Sequence, residues 1–331
     1  MLHMATVDEL RTSLSTRKLP YTERIGINLR AEDLNVGIRK IAMASKSGLR
    51  QVWFTSSGSM YRDTLTLLAV GGSQVKDIRL GTSIVQAYTR HPVATAQQVL
   101  AVNDVAPNRF RLGIGVSHRP IIEQQYGIEM KQPLRYLREY VASLRSLLYN
   151  GYSEFNGKHF KMNIKTGQIA RVPILVAALG LKTFELAGEV SDGAISWMCP
   201  PSYLIEKASK ALQSGAKRSG RETPTLVAHM MVAVTDDEDS ALSAAEERVK
   251  QYARMPFYAN MFRTAGYDVS NDPSAYRKLA DALTIRGDPE KIGQRLKNLL
   301  GQLDELLLMQ VIIKDEEKEF SMLAETVRNL S

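Results

Sequence analysis

Eight short apolar runs, each bounded by polar or turn-forming residues, punctuate the chain. They are Ile25–Leu29, Gln51–Thr55, Ile78–Val85, Phe110–Gly115, Pro173–Ala178, Ala194–Met198, Leu226–Val234 and Leu306–Ile313. Runs of this length without strict alternation are what parallel strands covered on both faces produce. Between them, apolar residues recur three and four apart. Leu134, Leu137, Val141, Leu144 and Leu148 form the clearest such stripe, and Phe320, Leu323, Val327 and Leu330 stripe a closing helix. Helix starts are marked by His91-Pro92, by the Thr235-Asp-Asp-Glu238 capping box and by Asp288-Pro289.

Strands alternating with helices in a chain of 331 residues predict an α/β fold, a single (β/α)₈ TIM barrel. Residues 1–23 read as an N-terminal extension. Insertions follow the fourth strand, at 116–132 and 151–171, and the seventh, at 253–285. The 151–171 stretch reads as a hairpin with Asn156-Gly157 at its turn.

Composition narrows the function classes without changing this picture. Hydrophobic content of 44% and charged content of 24% are ordinary for a globular chain. No run approaches the roughly 18 apolar residues of a membrane span. The single Cys199 cannot pair within the chain, which leads us to expect a reducing, cytoplasmic setting. The formal charge is +8, and the densest basic patch is Lys207, Lys210, Lys217, Arg218 and Arg221. It reads either as a solvated face or as a funnel for an anionic ligand. No nucleic-acid motif accompanies it, so the expected partner is a small molecule.

In a barrel, the residues after each strand line the mouth where chemistry occurs. Here they are Asn28, Thr55–Ser57, Ser83–Tyr88, Ser117, His118, Ala178–Leu181 and Trp197–Cys199. They include no paired carboxylates for glycoside hydrolysis, no metal-ligand cluster and no lysine for a Schiff base. Such a mouth suits a cofactor that brings its own reactivity. Ala178-Leu179-Gly180-Leu181 reads either as a phosphate-holding helix start or as a plain tight turn. Gly113-x-Gly115 marks close packing. His118 is either a proton-transfer group or an exposed loop histidine. His91 reads as an ordinary loop residue, His229 as structural and Cys199 as packing.

Taken in order, several pieces resemble the luciferase-like monooxygenase superfamily of flavin- and deazaflavin-dependent barrels. They are Gln51-Val-Trp-Phe54, Leu80-Gly-Thr-Ser-Ile84, Tyr88-Thr-Arg-His-Pro92, Pro107–Gly115, Pro173–Gly193 and Gly287-Asp-Pro-Glu290. The Tyr88–Pro92 form is most similar to the branch that contains methylenetetrahydromethanopterin reductase. The resemblance implies hydride transfer between coenzyme F420 and a pterin-like, alcohol or carbonyl substrate. An FMN-dependent monooxygenase is the alternative, and a flavin-binding barrel without turnover a third reading. It also implies a cis peptide at Ser83-Ile84 behind the cofactor ring, a phosphate site at Ala178, Leu179, Gly180 and Leu181, and Lys182 with the basic patch at the cofactor's acidic tail. Thr55, Gln86, Ser117 and Trp197 complete the expected cofactor contacts, and His118, Thr55 and Ser56 are the catalytic candidates. Two departures stand out. Thr55-Ser56-Ser57 replaces the Asp-His pair common among relatives, and His118 replaces a glutamate, which argues against sugar-phosphate dehydrogenation. Pairing as a homodimer beside the first strands is implied too, with specificity carried by 116–132 and 253–285.

Overall fold

The structure, a computed structural model, describes residues 4–56 and 62–330. Ser57 of the expected mouth therefore lies outside the described residues. The strands are β1 Ile25–Leu29, β2 Gln51–Phe54, β3 Arg79–Thr82, β4 Val85–Gln86, β5 Phe110–Gly115, β6 Tyr152–Asn156 and β7 Lys161–Lys165. They continue with β8 Ile174–Ala177, β9 Gly193–Ile195, β10 Thr225–Val234, β11 Thr284–Gly287 and β12 Glu305–Gln310. Parallel pairing runs β12-β1-β2-β3-β5-β8-β9-β10 and closes from β10 back to β12. The expected eight-stranded barrel is present.

The third apolar run is divided. β3 pairs with the start of β5 and β4 with its end, and the Ser83–Ile84 peptide between them is cis. Two further features differ from the sequence reading. Within 253–285, helices Pro256–Thr264 and Ser274–Leu283 are followed directly by β11. β11 pairs with Met231–Val234, on the edge of β10 that three-residue β9 leaves uncovered. In the hairpin, Asn156 ends β6 opposite Lys161, so the turn is four residues long. The Glu139 carboxylate sets it by accepting the N–H groups of Lys158 at 3.2 Å and His159 at 2.7 Å. Burial opposes the charge on Glu139, but these N–H groups and Arg135 prevail and hold its carboxyl at about 2.

Alternate strand residues fill the barrel in layers. At the N-terminal end, Arg111 forks onto Glu305 at 2.8 and 2.7 Å, Gln51 bridges both, and Thr225 donates to Glu305 at 3.1 Å. Above this plug lie Trp53, Leu175, Ile195, Val227 and Leu307. The Trp53 indole crosses the axis so closely that a Cβ on Gly81 would sit 2.3 Å from its ring. Gly113 likewise abuts the Thr82 carbonyl, so the Gly113-x-Gly115 pattern includes close packing. The extension covers the closed end. Arg79 pairs with Glu23 at 2.5 Å and donates to the Ala5 carbonyl, while Ser13 and Arg17 both reach Asp304 at 2.6 Å. Access from solvent is thereby left to the opposite mouth.

Candidate active site

Three polar side chains meet where β1, β2 and β3 end. Asn28 Nδ2 donates to Ser83 Oγ at 2.6 Å and to Thr55 Oγ1 at 3.1 Å, and the two hydroxyls lie 3.4 Å apart. Strand alternation aims all three inward: Asn28 pairs in register with Trp53, and Thr55 and Ser83 follow Trp53 and Gly81 by two residues. Ser56 points the other way and donates to Thr64 Oγ1 at 2.6 Å, at the start of the helix Thr64–Gln74. The site thus brings Thr55 and Ser83 together and excludes the Ser56 hydroxyl. Ile84 packs against the central apolar layer, and Gln86 Nε2 donates to Ser117 Oγ at 3.2 Å.

His118 stands beside the 253–285 insertion, its ring 5.2 Å from that of Tyr258 and 6.4 Å from that of Phe257. Its Nδ1 is buried without a partner, and burial pushes the imidazole down to about 4. At neutral pH it is therefore an uncharged ring, able to accept a proton but not charged in advance to donate one. His91 Nδ1 accepts the Val93 N–H at 3.3 Å, an ordinary helix cap. Tyr88 stacks on Tyr136 with ring centres 3.9 Å apart, joining the loop after β4 to the long helix Pro133–Asn150.

Gly180 caps the helix Leu181–Val190 with no side chain over the N-terminus. The first N–H groups of a helix have no partner within it. A Cβ built on Gly180 would meet nothing within 4 Å, so the approach is open. Ala178 is anchored by its N–H to the Ile195 carbonyl at 2.9 Å, and Leu179 by its carbonyl, which accepts the Tyr203 hydroxyl at 2.8 Å. Lys182 is exposed beside Arg135 and Arg138. The basic patch does not join them. Arg218 pairs with Glu189 at 2.7 Å, Arg221 reaches Asp192 at 3.5 Å, and Lys207 donates to the Thr264 carbonyl. Glu189 and Asp192 lie near the C-terminal end of the helix that carries Lys182 or beyond it, so the two arginines of the patch are paired away from the mouth.

The far wall holds the expected Trp197 and, behind it, His229, which the sequence reading took as structural. Trp197 donates to the Tyr252 hydroxyl at 2.8 Å and stacks on His229, ring centres 3.7 Å apart. His229 Nδ1 accepts the Met198 N–H at 3.3 Å, which places the imidazole proton on Nε2. That Nε2 is buried and has no partner. The signal was a histidine at an inward position of the otherwise apolar run Leu226–Val234. Cys199 is fully buried, its thiol pushed well up by that burial, as packing requires. No group of three or more potential metal ligands occurs among the described residues.

Residues 14–299 match the family described as luciferase-like monooxygenase. The chain belongs to the luciferase-like monooxygenase family. A relative within reach is the 5,10-methylenetetrahydromethanopterin reductase of Methanolobus tindarius, 32% identical over 211 residues. The match covers 62% of this chain and 63% of that relative's length. Among solved structures, an F420-dependent secondary alcohol dehydrogenase bound to an F420-acetone adduct superposes with a TM-score of 0.77 at 16% identity. The alignment covers 93% of this chain and 99% of the other. The oxygenating constituent of 3,6-diketocamphane monooxygenase from Pseudomonas putida, in complex with FMN, gives 0.70 at 16% identity, covering 92% and 95%. Family membership and the shared barrel agree with the resemblance seen in the motifs.

Proposed function

We propose that this luciferase-like protein is a coenzyme F420-dependent oxidoreductase acting on a small pterin-like, alcohol or carbonyl substrate. The observation that carries this reading is the mouth itself: neutral hydroxyl and amide groups at the strand ends beside an open helix N-terminus at Gly180. These residues fit a phosphate-bearing tricyclic cofactor. Gly180 would leave a phosphate room, Ser83, Gly115 and Ala177 are small residues at the strand ends, and His229 Nε2 offers an unmet donor.

The bound deazaflavin supplies the carbon that carries the hydride. The N–H groups of Leu181 and Lys182 would hold its phosphate, and Ile84 would line the ring site. Asn28 fixes the Thr55 and Ser83 hydroxyls so that they meet ring acceptors without reorganising. His118, packed beside the Tyr258 ring, would take the substrate proton. His118→Ala is expected to lower turnover about a hundredfold and to leave cofactor affinity nearly intact. Because His118 is neutral above about pH 4, turnover with the wild-type protein should show no His118-dependent step between about pH 6 and 8. Stopped-flow turnover across that range checks both statements, and an unaltered rate in the variant makes His118 a bystander.

Side-by-side fluorescence titration with coenzyme F420 and FMN tests the function. Saturable binding of the deazaflavin in preference to FMN is expected. Preference for FMN supports the second reading, an oxygen-using monooxygenase, which the FMN-bound structural neighbour favours. No described helix is long and apolar enough to cross a membrane. On our reading the protein acts in the cytoplasm as a homo-oligomer, and a monomeric mass by light scattering would remove the second of these.

A further inference from the structure

One aromatic side chain at the mouth is held on two sides. Trp197 follows β9 by two residues, in line with the inward Ile195, and is partly exposed. Its indole rests on His229, ring centres 3.7 Å apart and planes 28° apart, and its Nε1–H is donated to the Tyr252 hydroxyl at 2.8 Å. The support is itself fixed. His229 lies on β10, fully buried, and its Nδ1 accepts the N–H of Met198, whose backbone is left-handed at φ 55. That conformation is uncommon outside glycine, and the hydrogen bond helps to hold the strand end in it. Burial first, and then Arg248 and Arg30, push the imidazole down to about 3, so the stack joins two neutral rings at any ordinary pH. Tyr252, in the last turn of the helix Glu238–Ala253, also packs edge-on against Tyr258, ring centres 4.7 Å apart. Tyr258 in turn neighbours His118 at 5.2 Å. Trp197 therefore stands at one end of a chain of aromatic contacts that leads to the proton-transfer group. Among the described residues, no ring other than that of His229 packs on the indole.

We propose that Trp197 selects the substrate: its uncovered face is a platform on which a flat, conjugated molecule stacks, with His229 and Tyr252 as positioning residues. The inference rests on the reading of this mouth as the substrate site, and it gives to the substrate a side chain that the resemblance gave to the cofactor. Trp197 and Ile84 both pack on the central apolar layer, from strands on different sides of the barrel, β9 and the join between β3 and β4. A ring held against Ile84 leaves Trp197 to the substrate. The indole's broad π-face stacks better on a conjugated ring than on a saturated one of the same outline. The two supports matter because a free indole must be immobilised when a ligand binds, at the cost of its rotamer freedom. One already fixed by a stack and a hydrogen bond avoids most of that cost.

Calorimetric titration of the purified protein with 2-naphthol and with its saturated counterpart, decahydro-2-naphthol, tests the proposal without any need for turnover. The flat probe should bind about three to ten times more tightly. Trp197→Leu keeps apolar bulk and should abolish the preference, with an unaltered circular-dichroism melt showing that the fold persists. Tyr252→Phe keeps the ring against Tyr258 but removes the acceptor of the indole N–H. It should lose most of the preference and shift the tryptophan emission. The chain has two tryptophans and Trp53 is sealed inside the barrel, so that shift reports Trp197. A hydroxyl with a merely structural role would lower the melt and leave both readings unmoved. If Trp197→Leu fails to fold, Tyr252→Phe carries the comparison. Equal binding of the two probes, no binding of the flat one, or a preference that survives the substitutions overturns the platform. Coenzyme F420 and FMN titrations on the same preparations separate the two claims. Loss of cofactor affinity in Trp197→Leu returns the indole to the cofactor and overturns the platform. Failure of the wild-type protein to bind either cofactor, with the preference intact and dependent on Trp197, overturns the proposed function alone. Normal cofactor binding without the preference overturns the platform alone.

Discussion

Gly180→Asp is expected to weaken binding of coenzyme F420 about tenfold or more while leaving the fold as stable as before, or slightly more so. The two effects diverge for one physical reason. Gly180 sits at the cap of the helix Leu181–Val190 with φ −83 and ψ 154, extended backbone that any residue adopts. The space where its Cβ would lie is open to 4 Å, so an aspartate enters without strain. Its carboxylate then accepts the free N–H groups at the helix start, which is what aspartate does at caps throughout proteins, stabilising by a few tenths of a kcal/mol relative to glycine. The same carboxylate occupies the donors that a phosphate needs and repels its charge. Gly180→Ser is the control, since it caps without a charge and should cost much less affinity. Fluorescence titration with the cofactor, beside a thermal melt, reads both effects. Unchanged affinity in Gly180→Asp would remove the phosphate site from this turn.

Asp192→Asn should destabilise the barrel by about 3 kcal/mol, the low end for breaking a buried ion pair. The Asp192 carboxylate is nearly inaccessible and accepts Arg145 Nη1 at 2.8 Å, Arg11 Nη2 at 2.9 Å, the Tyr149 hydroxyl at 2.8 Å and the Ile174 N–H at 3.1 Å. It thereby joins the N-terminal extension, the long helix Pro133–Asn150 and the start of β8. The cost stays at the low end because Arg11, Arg145 and Arg221 each keep about a quarter or more of the side chain in water and are solvated there once the carboxylate is gone. Burial alone would raise the carboxyl's pKa, but Arg145 and Arg11 outweigh it and hold the group below the usual carboxylate range. A depressed folded value contributes stability above the unfolded pKa of about 3.9 and loses it as pH falls through the folded one. The gap between wild type and Asp192→Asn should therefore be full at neutral pH and shrink in acid. Urea unfolding at several pH values measures it, and a gap independent of pH would show that Asp192 acts through shape rather than charge.

Much of the architecture was legible because its signal is local. Apolar runs with polar ends identify strands, and the three-four spacing of Leu137, Val141, Leu144 and Leu148 identifies a helix whichever way the chain turns next. β11 escaped notice for the same reason. Thr284–Gly287 is four residues, half of them polar, joined to a helix with no turn between, and it pairs only with the overhang of β10. The basic patch misled because charge along a chain says nothing of the acids facing it. Arg218 and Arg221 meet Glu189 and Asp192 only after two helices pack.

By itself, the sequence determined the strand–helix alternation, the cysteine-poor, span-free character of the chain and the glycine at the start of the helix Leu181–Val190. Each depends on residues within a few positions of one another, so composition and periodicity carry it. Tertiary structure alone decided which side chains meet. Asn28, Thr55 and Ser83 become one cluster because β1, β2 and β3 lie side by side in the barrel and bring their inward side chains within hydrogen-bond distance at the strand ends. Ser56, one residue from Thr55, turns outward because successive strand residues face opposite sides. Trp197, His229 and Tyr252 converge only because the barrel seats β9 beside β10, with the helix that carries Tyr252 packed outside. Contacts across such separations follow from closure and register, which no local pattern of residues records.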